Sequence, residues 1–137
     1  MKIITFSSLY PDSIRTRHGI FVETRLRHLI KYAKIEVKVV VPVAWFPFTS
    51  SVFGQYAENA KVPHHEVRHN IEIVHARFPL IPKIGMTLAP LIMAVFMYPV
   101  LRKIIKQGYD FDLIDAHYFY PDGVAAALLG KWLKKPV

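Results

Sequence analysis

His117 is the side chain in this sequence best placed to do chemistry. It lies in Asp110-Phe-Asp-Leu-Ile-Asp-Ala-His-Tyr-Phe-Tyr-Pro-Asp-Gly123, which runs straight into Val124-Ala-Ala-Ala-Leu-Leu129. Asp112 to Ala116 is a short apolar run with acidic residues in and beside it, the pattern of a buried strand in a parallel sheet. Pro121, Asp122 and Gly123 then open a helix: proline is tolerated in a first turn, an acid suits the positive helix end, and glycine permits close approach. His117 therefore falls at the carboxyl end of a strand, on the edge where open α/β sheets collect ligands. An imidazole there can hydrogen-bond a ligand or exchange a proton with it. A purely structural hydrogen-bonding histidine fits the same position.

A second candidate is the strand–loop–helix from Ile3 to Glu23, with Arg15-Thr-Arg-His-Gly-Ile-Phe-Val-Glu23 at its end. A helix that starts at Gly19 offers backbone N–H groups and positive potential to a phosphate, and Arg15, Arg17 and His18 add mobile positive charge. With one glycine, the stretch is not a dinucleotide fingerprint. The alternative is a solvated basic loop whose glycine allows a tight entry to the helix.

Two further stretches carry less. His65-Glu66-Val67-Arg68-His69 matches HExxH literally. That motif needs a helix to put both histidines on one face, and Pro63 before it and Asn70-Ile-Glu-Ile-Val after it favour an extended segment. It reads as a chance match, and no metal is expected. Ile84 to Leu101 contains no charge over eighteen residues. A membrane span, an interfacial helix and a core helix all fit it, although Gly85, Thr87 and two prolines weigh against a span.

The elements that must position these residues follow from hydrophobic periodicity. Lys2 to Phe6 reads as a buried strand, and Gly19 to about Lys34 as a helix. Its apolar face is Val22, Leu26, Leu29, Ile30 and Ala33, with Glu23 and Arg27 paired on the other side. Ile35 to Val41 is a second strand stopped by Pro42, and together these make a right-handed βαβ unit. An aromatic-rich connection with Trp45, Phe46, Phe48, Phe53 and Tyr56 follows. Then come a strand or hairpin turning near Asn70, a helix from Ile84 to about Gln107 despite Pro90 and Pro99, the Asp112 strand, and a helix from Asp122 to Lys134. The chain stops at Lys135-Pro-Val, where another strand is due, so residues 1–137 read as one domain truncated at its C-terminal end.

Composition limits the options. The chain is 53% hydrophobic and 20% charged, which excludes disorder as its main state. It has no cysteine, so a disulfide framework and thiolate metal sites are excluded. The net charge of +8 favours phosphate-bearing partners: nucleotide sugars, lipid phosphates, anionic membranes or nucleic acid. For nucleic acid there is no RNP, helix-turn-helix or zinc-finger pattern, and none is expected as a partner. The opening Met1-Lys-Ile-Ile-Thr-Phe-Ser-Ser is too short and too quickly polar for a secretory leader. The expected location is cytoplasmic, peripheral at the inner face of the plasma membrane.

Three segments together resemble the amino-terminal domain of a retaining glycosyltransferase of family four. They are Ser7-Ser-Leu-Tyr-Pro with His18-Gly-Ile-Phe-Val-Glu23, Arg77-Phe-Pro-Leu-Ile-Pro82, and Asp112 through Ala126. They span nearly the whole chain in order, and look most like the branch of teichuronic-acid and exopolysaccharide transferases. The resemblance implies an α/β fold: a Rossmann-like parallel sheet flanked by helices, the N-terminal half of a GT-B fold. It implies that Gly19, with His18 and Arg17, faces the donor diphosphate, and that His117 contacts the transferred sugar. Phe21, Tyr118, Tyr120 and Asp122 would line the acceptor side, which Arg17 also borders. The family's reaction is metal-independent and needs no cofactor: a nucleotide sugar is the donor substrate, and a glycan or lipid-linked molecule accepts. The family's donor-binding C-terminal domain is absent from this sequence, so the chain alone is expected to be inactive. The alternative function is a stand-alone Rossmann-like module that binds a phosphorylated ligand without catalysis.

Overall fold

The computed structural model describes residues 1–45, 62–79 and 87–137. Five strands among these residues form one sheet: β1 (Lys2–Phe6), β2 (Glu36–Trp45), β3 (His65–Arg68), β4 (Ile71–Pro79) and β5 (Leu113–Ala116). Their spatial order is β3-β4-β2-β1-β5. The last four in that order run parallel, while β3 is antiparallel to β4. The sheet is thus α/β and Rossmann-like but mixed, where a parallel sheet was expected. The exception is local, because a two-residue turn can only join antiparallel neighbours. His69 and Asn70 both have positive φ (50° and 63°), the backbone of a tight hairpin turn that asparagine tolerates well.

Among the described residues three helices cover the sheet: α1 (Ile20–Ala33) on one face, and α2 (Ala89–Lys106) and α3 (Val124–Leu133) on the other. Both faces of the central strands are buried, which is why β2 reads as a continuous apolar run. Val39, Val41 and Val43 pack with Val22 and Leu26 of α1. Val40 points the other way, into a core with Ile4, Phe6, Met93, Met97, Leu101 and Leu129. The side chains of β2 alternate between two separate cores.

Three expectations are corrected here. Pro42 does not stop β2, which continues to Trp45 in register with β4 (Pro42 opposite Ala76). Val40 accepts from the Ser7 amide on the β1 side, and the nitrogen of Pro42, two residues on, faces that side past the end of the ladder. No ladder bond is lost there. Glu23 does not pair with Arg27 in solvent. It is buried and accepts from the Arg68 Nε at 2.7 Å, tying α1 to β3. Helix α3 starts at Val124, and Pro121, Asp122 and Gly123 belong instead to a wide turn, Phe119–Gly123, ahead of it.

The apolar run ending at Leu101 buries one face of α2 in the core. Met93, Ala94, Met97, Leu101 and Ile104 of α2 are buried under the sheet. No helix among the described residues is long and apolar enough to cross a membrane. Phe46, Phe48, Phe53 and Tyr56, residues 80–82 of the second family-like segment, and residues 84–86 at the head of the apolar run lie outside the described residues.

Candidate functional site

The candidate site is the rim at the carboxyl ends of β1 and β5. These neighbours are in register to their last residues, Phe6 opposite Ala116, so the chain leaves both at the same edge. The His117 amide donates to the Phe6 carbonyl (3.1 Å) one step past the ladder, which fixes the histidine against the exit of β1. Beyond it, Tyr118 adopts φ 77° and turns the chain outward.

Asp122 knits the two exits together. Its Oδ2 accepts from both the backbone amide and the hydroxyl of Ser8, at 2.7 and 2.8 Å. The Ser8 carbonyl in turn accepts from Nε2 of His18 at 3.2 Å, so the hydrogen sits on that nitrogen. One serine therefore joins the turn after β5 to the loop that leads into α1. His18, Gly19 and His117 belong to the same edge of the sheet.

The electrostatics follow from burial. Asp122 is 0% exposed, and desolvation pushes its carboxyl above the ordinary range, opposed by the Ser8 hydrogen bonds and the nearby His117. Among the described residues its Oδ1 has no hydrogen-bond partner. His18 is lowered, first by burial and then by the Arg15 guanidinium, so it favours the neutral form. Asp12 organises the loop before it. Its Oδ1 accepts from the Ile14 and Arg15 amides (2.8 and 2.6 Å), and its carboxylate holds the Arg15 guanidinium at 2.9 Å. Burial alone would raise Asp12, but the Arg15 and Ile14 hydrogen bonds and the guanidinium charge bring it below its usual value.

Several anticipated roles change. Arg15 is held by Asp12 and is not mobile charge; Arg17 is the exposed cation of the loop. The Ile20 and Val22 amides already donate to the Arg17 and Gly19 carbonyls, and Glu23 supplies an acid in the first turn of α1. The helix start is thus partly satisfied from within. Gly19 has φ 68°, and a Cβ added there would lie 2.4 Å from the carbonyl carbon of Leu9. Its missing side chain is accounted for by Leu9, before any diphosphate is considered. Asp122, expected to line the acceptor side, is buried and acts as a brace. Phe21, Tyr118 and Tyr120 are exposed on the elements that flank the rim, and Phe119 between the two tyrosines is 87% exposed.

Arg25 and Asp115 were missed. The Arg25 Nη1 donates to Asp115 Oδ2 at 2.9 Å and lies 3.1 Å from the His117 Nε2, which is itself 3.2 Å from that carboxylate oxygen. Asp115 and His117 are two residues apart, hence on one face of an extended segment, and that spacing was a readable signal. Arg25 was not readable, because it meets the pair from α1, 90 residues away in sequence.

The HExxH segment is strand β3 followed by a turn, so its histidines lack a helical scaffold. Among the described residues no group of three or more His, Asp or Glu side chains gathers as a metal site. A cavity of about 250 Å³ lies between the C-terminal end of α2 and the amino ends of β2 and β4, lined by Lys38, Glu72, Lys103 and Gln107 among others. That is the opposite end of the strands from His117.

Comparison with known proteins bears on this rim. No protein-family model matches the chain. The chain is 27% identical over 140 aligned residues, 99% of its own length, to a Bacillus subtilis (strain 168) protein named "Putative teichuronic acid biosynthesis glycosyltransferase TuaC". The chain is related to a glycosyltransferase. It spans 34% of the length of that relative. The similarity runs the whole chain and so includes both loops of the rim.

Proposed function

We propose that this chain is the amino-terminal part of a retaining glycosyltransferase of the GT-B kind, moving a sugar from a nucleotide-sugar donor to a glycan or lipid-linked acceptor in cell-surface polysaccharide synthesis. The observation that carries the reading is the shared rim, where the Ser8–Asp122 bridge sets His117 beside the entry to α1. A transfer of this kind asks the protein mainly to position the donor and to stabilise the departing diphosphate. His117 takes the transferred sugar, and exposed Arg17, with His18 and Gly19 behind it, faces the diphosphate side. Phe21, Tyr118 and Tyr120 offer apolar and aromatic surface to the acceptor. A second domain would close over this rim and hold the nucleotide. No metal or cofactor enters the scheme.

The test is nucleoside diphosphate release by the intact gene product, supplied with a panel of nucleotide sugars and a lipid-linked acceptor. Turnover with one donor is expected. His117→Ala should cut kcat/KM at least about 100-fold, ~2.7 kcal/mol of transition-state stabilisation, while the unfolding midpoint stays nearly unchanged. A mutant as active as the parent removes His117 from the mechanism. A panel with no turnover, alongside tight binding of a phosphorylated ligand, favours a binding module.

A further inference from the structure

His117 Nε2 faces two groups that make opposite demands on it. Asp115 Oδ2, at 3.2 Å, can only accept, and so requires a hydrogen on Nε2. Arg25 Nη1, at 3.1 Å, can only donate, and so requires a lone pair there. One nitrogen cannot meet both demands at once. Arg25 already has a better acceptor, because its Nη1 donates to the same Asp115 oxygen at 2.9 Å. A carboxylate outcompetes a neutral imidazole as a partner for guanidinium. The arrangement of lowest energy therefore has Asp115 accepting from both donors, with the Arg25–His117 approach a consequence of their shared acceptor.

We infer that Asp115, held in place by Arg25, is the positioning residue that fixes neutral His117 as the Nε2–H tautomer and leaves Nδ1 as the ring's free lone pair. Among the described residues Nδ1 makes no hydrogen bond. Arg25 crosses from α1 to β5 to do this, so the pair also sets the angle at which the imidazole stands at the rim. Arg25 is exposed (52%), while Asp115 (22%) and His117 (16%) are partly covered and keep some access to solvent. In the function proposed above, on which this consequence rests, an Nδ1 lone pair accepts from a sugar hydroxyl and has nothing to donate to a phosphate oxygen. His117 thereby discriminates for a hydroxyl on the donor sugar, and phosphate contacts fall to the loop before α1.

The tautomer is read directly by long-range ¹H–¹⁵N correlation on ¹⁵N-histidine-labelled protein at about pH 8, above the ordinary histidine range. No substrate is needed, so the outcome is independent of whether the protein transfers sugar; failure of the transferase reading shows separately, as absent turnover in the donor panel. The expected result is a single His117 species with hydrogen on Nε2 and none on Nδ1. Asp115→Leu should convert it to a mixture of both tautomers, and Asp115→Asn, whose amide oxygen can still accept, should restore most of the Nε2–H form. A parent protein with hydrogen on Nδ1 overturns the inference, as does an unchanged single tautomer in Asp115→Leu. If Asp115→Leu does not fold, the Arg25→Leu variant, altered at an exposed side chain, takes its place. It should broaden or shift the His117 ring signals, and ring signals identical to the parent's would overturn Arg25's part.

Discussion

Gly19→Ala separates two reasons for a glycine at the entry to α1. The alanine must hold φ near 68°, a left-handed conformation that costs an L-residue about 1–2 kcal/mol. Its Cβ would also meet Leu9, at 2.4 Å from the carbonyl carbon and 2.5 Å from the oxygen. Ordinary contact needs roughly 3.5 Å, so one backbone must move by about 1 Å. Leu9 cannot yield freely: its amide is bonded to Ser7 Oγ at 3.1 Å, and the Ser8 amide beside it is held by Asp122 at 2.7 Å. Losing one hydrogen bond to a charged group adds about 1.5–3 kcal/mol. The total is about 2.5–5 kcal/mol, a large share of the ~5–15 kcal/mol that holds a domain together. Urea unfolding followed by circular dichroism should show the midpoint fall by about 2 M, taking a slope of ~2 kcal/mol per molar. Gly108→Ala is the control. Gly108 has φ 102° with nothing within 4 Å of the added Cβ, so it carries backbone strain without collision and should lose less. A Gly19→Ala protein within ~0.5 kcal/mol of the parent would refute the reasoning, and would return Gly19 to the ligand.

Two other perturbations test the surroundings of the rim. His75 is 1% exposed with neither ring nitrogen bonded among the described residues, and burial lowers its affinity for a proton, outweighing Glu66 and Asp12. With its folded pKa below the unfolded value of about 6.5, the unfolded chain binds the proton first, so stability should fall as pH drops below that value. His18, also lowered, adds to the same slope. His75→Leu should flatten the acid side of the stability–pH curve and stabilise by about 1 kcal/mol or more at pH 5, measured by thermal melts; an unaltered slope contradicts this account. Helix α2 exposes Leu91, Val95 and Phe96 in its first half, after exposed Leu88, and Arg102, Lys103 and Lys106 near its end, with no acidic residue between. Sedimentation with anionic vesicles should show binding that weakens from 0.1 to 1 M salt, as the screening length drops from about 10 to 3 Å. Equal binding to neutral vesicles would remove the electrostatic part.

Much of the architecture was legible because both faces of the central strands are buried. The run Val37 to Val41 needed no partner to declare itself a strand, and Asn70 between two short strands marked a hairpin. The misreadings have a common cause in tertiary context. Pro42 punctuates a strand only where its nitrogen faces a ladder, and here that side is past the last paired residue of β1. Glu23 looks like half of a solvent-side helical pair until β3 brings Arg68 within 2.7 Å. At the site, strand-end position picked out His117 and a lone glycine picked out the loop. The Ser8–Asp122 and Arg25–Asp115 links join residues far apart in sequence, where neither periodicity nor local spacing leaves a trace.

The Ser8–Asp122 bond closes a stretch of 114 residues, nearly the length of the chain. Contacts between such distant partners carry their entropic cost before they bring any return, and they form late. The first βαβ unit is made within the first forty-five residues, but the rim has no partial version to build on. It comes into being only when the turn before α3 swings back to meet the exit of β1. A chain interrupted before β5 would keep a recognisable βαβ start and lack the Ser8–Asp122 bridge that joins the two strand exits.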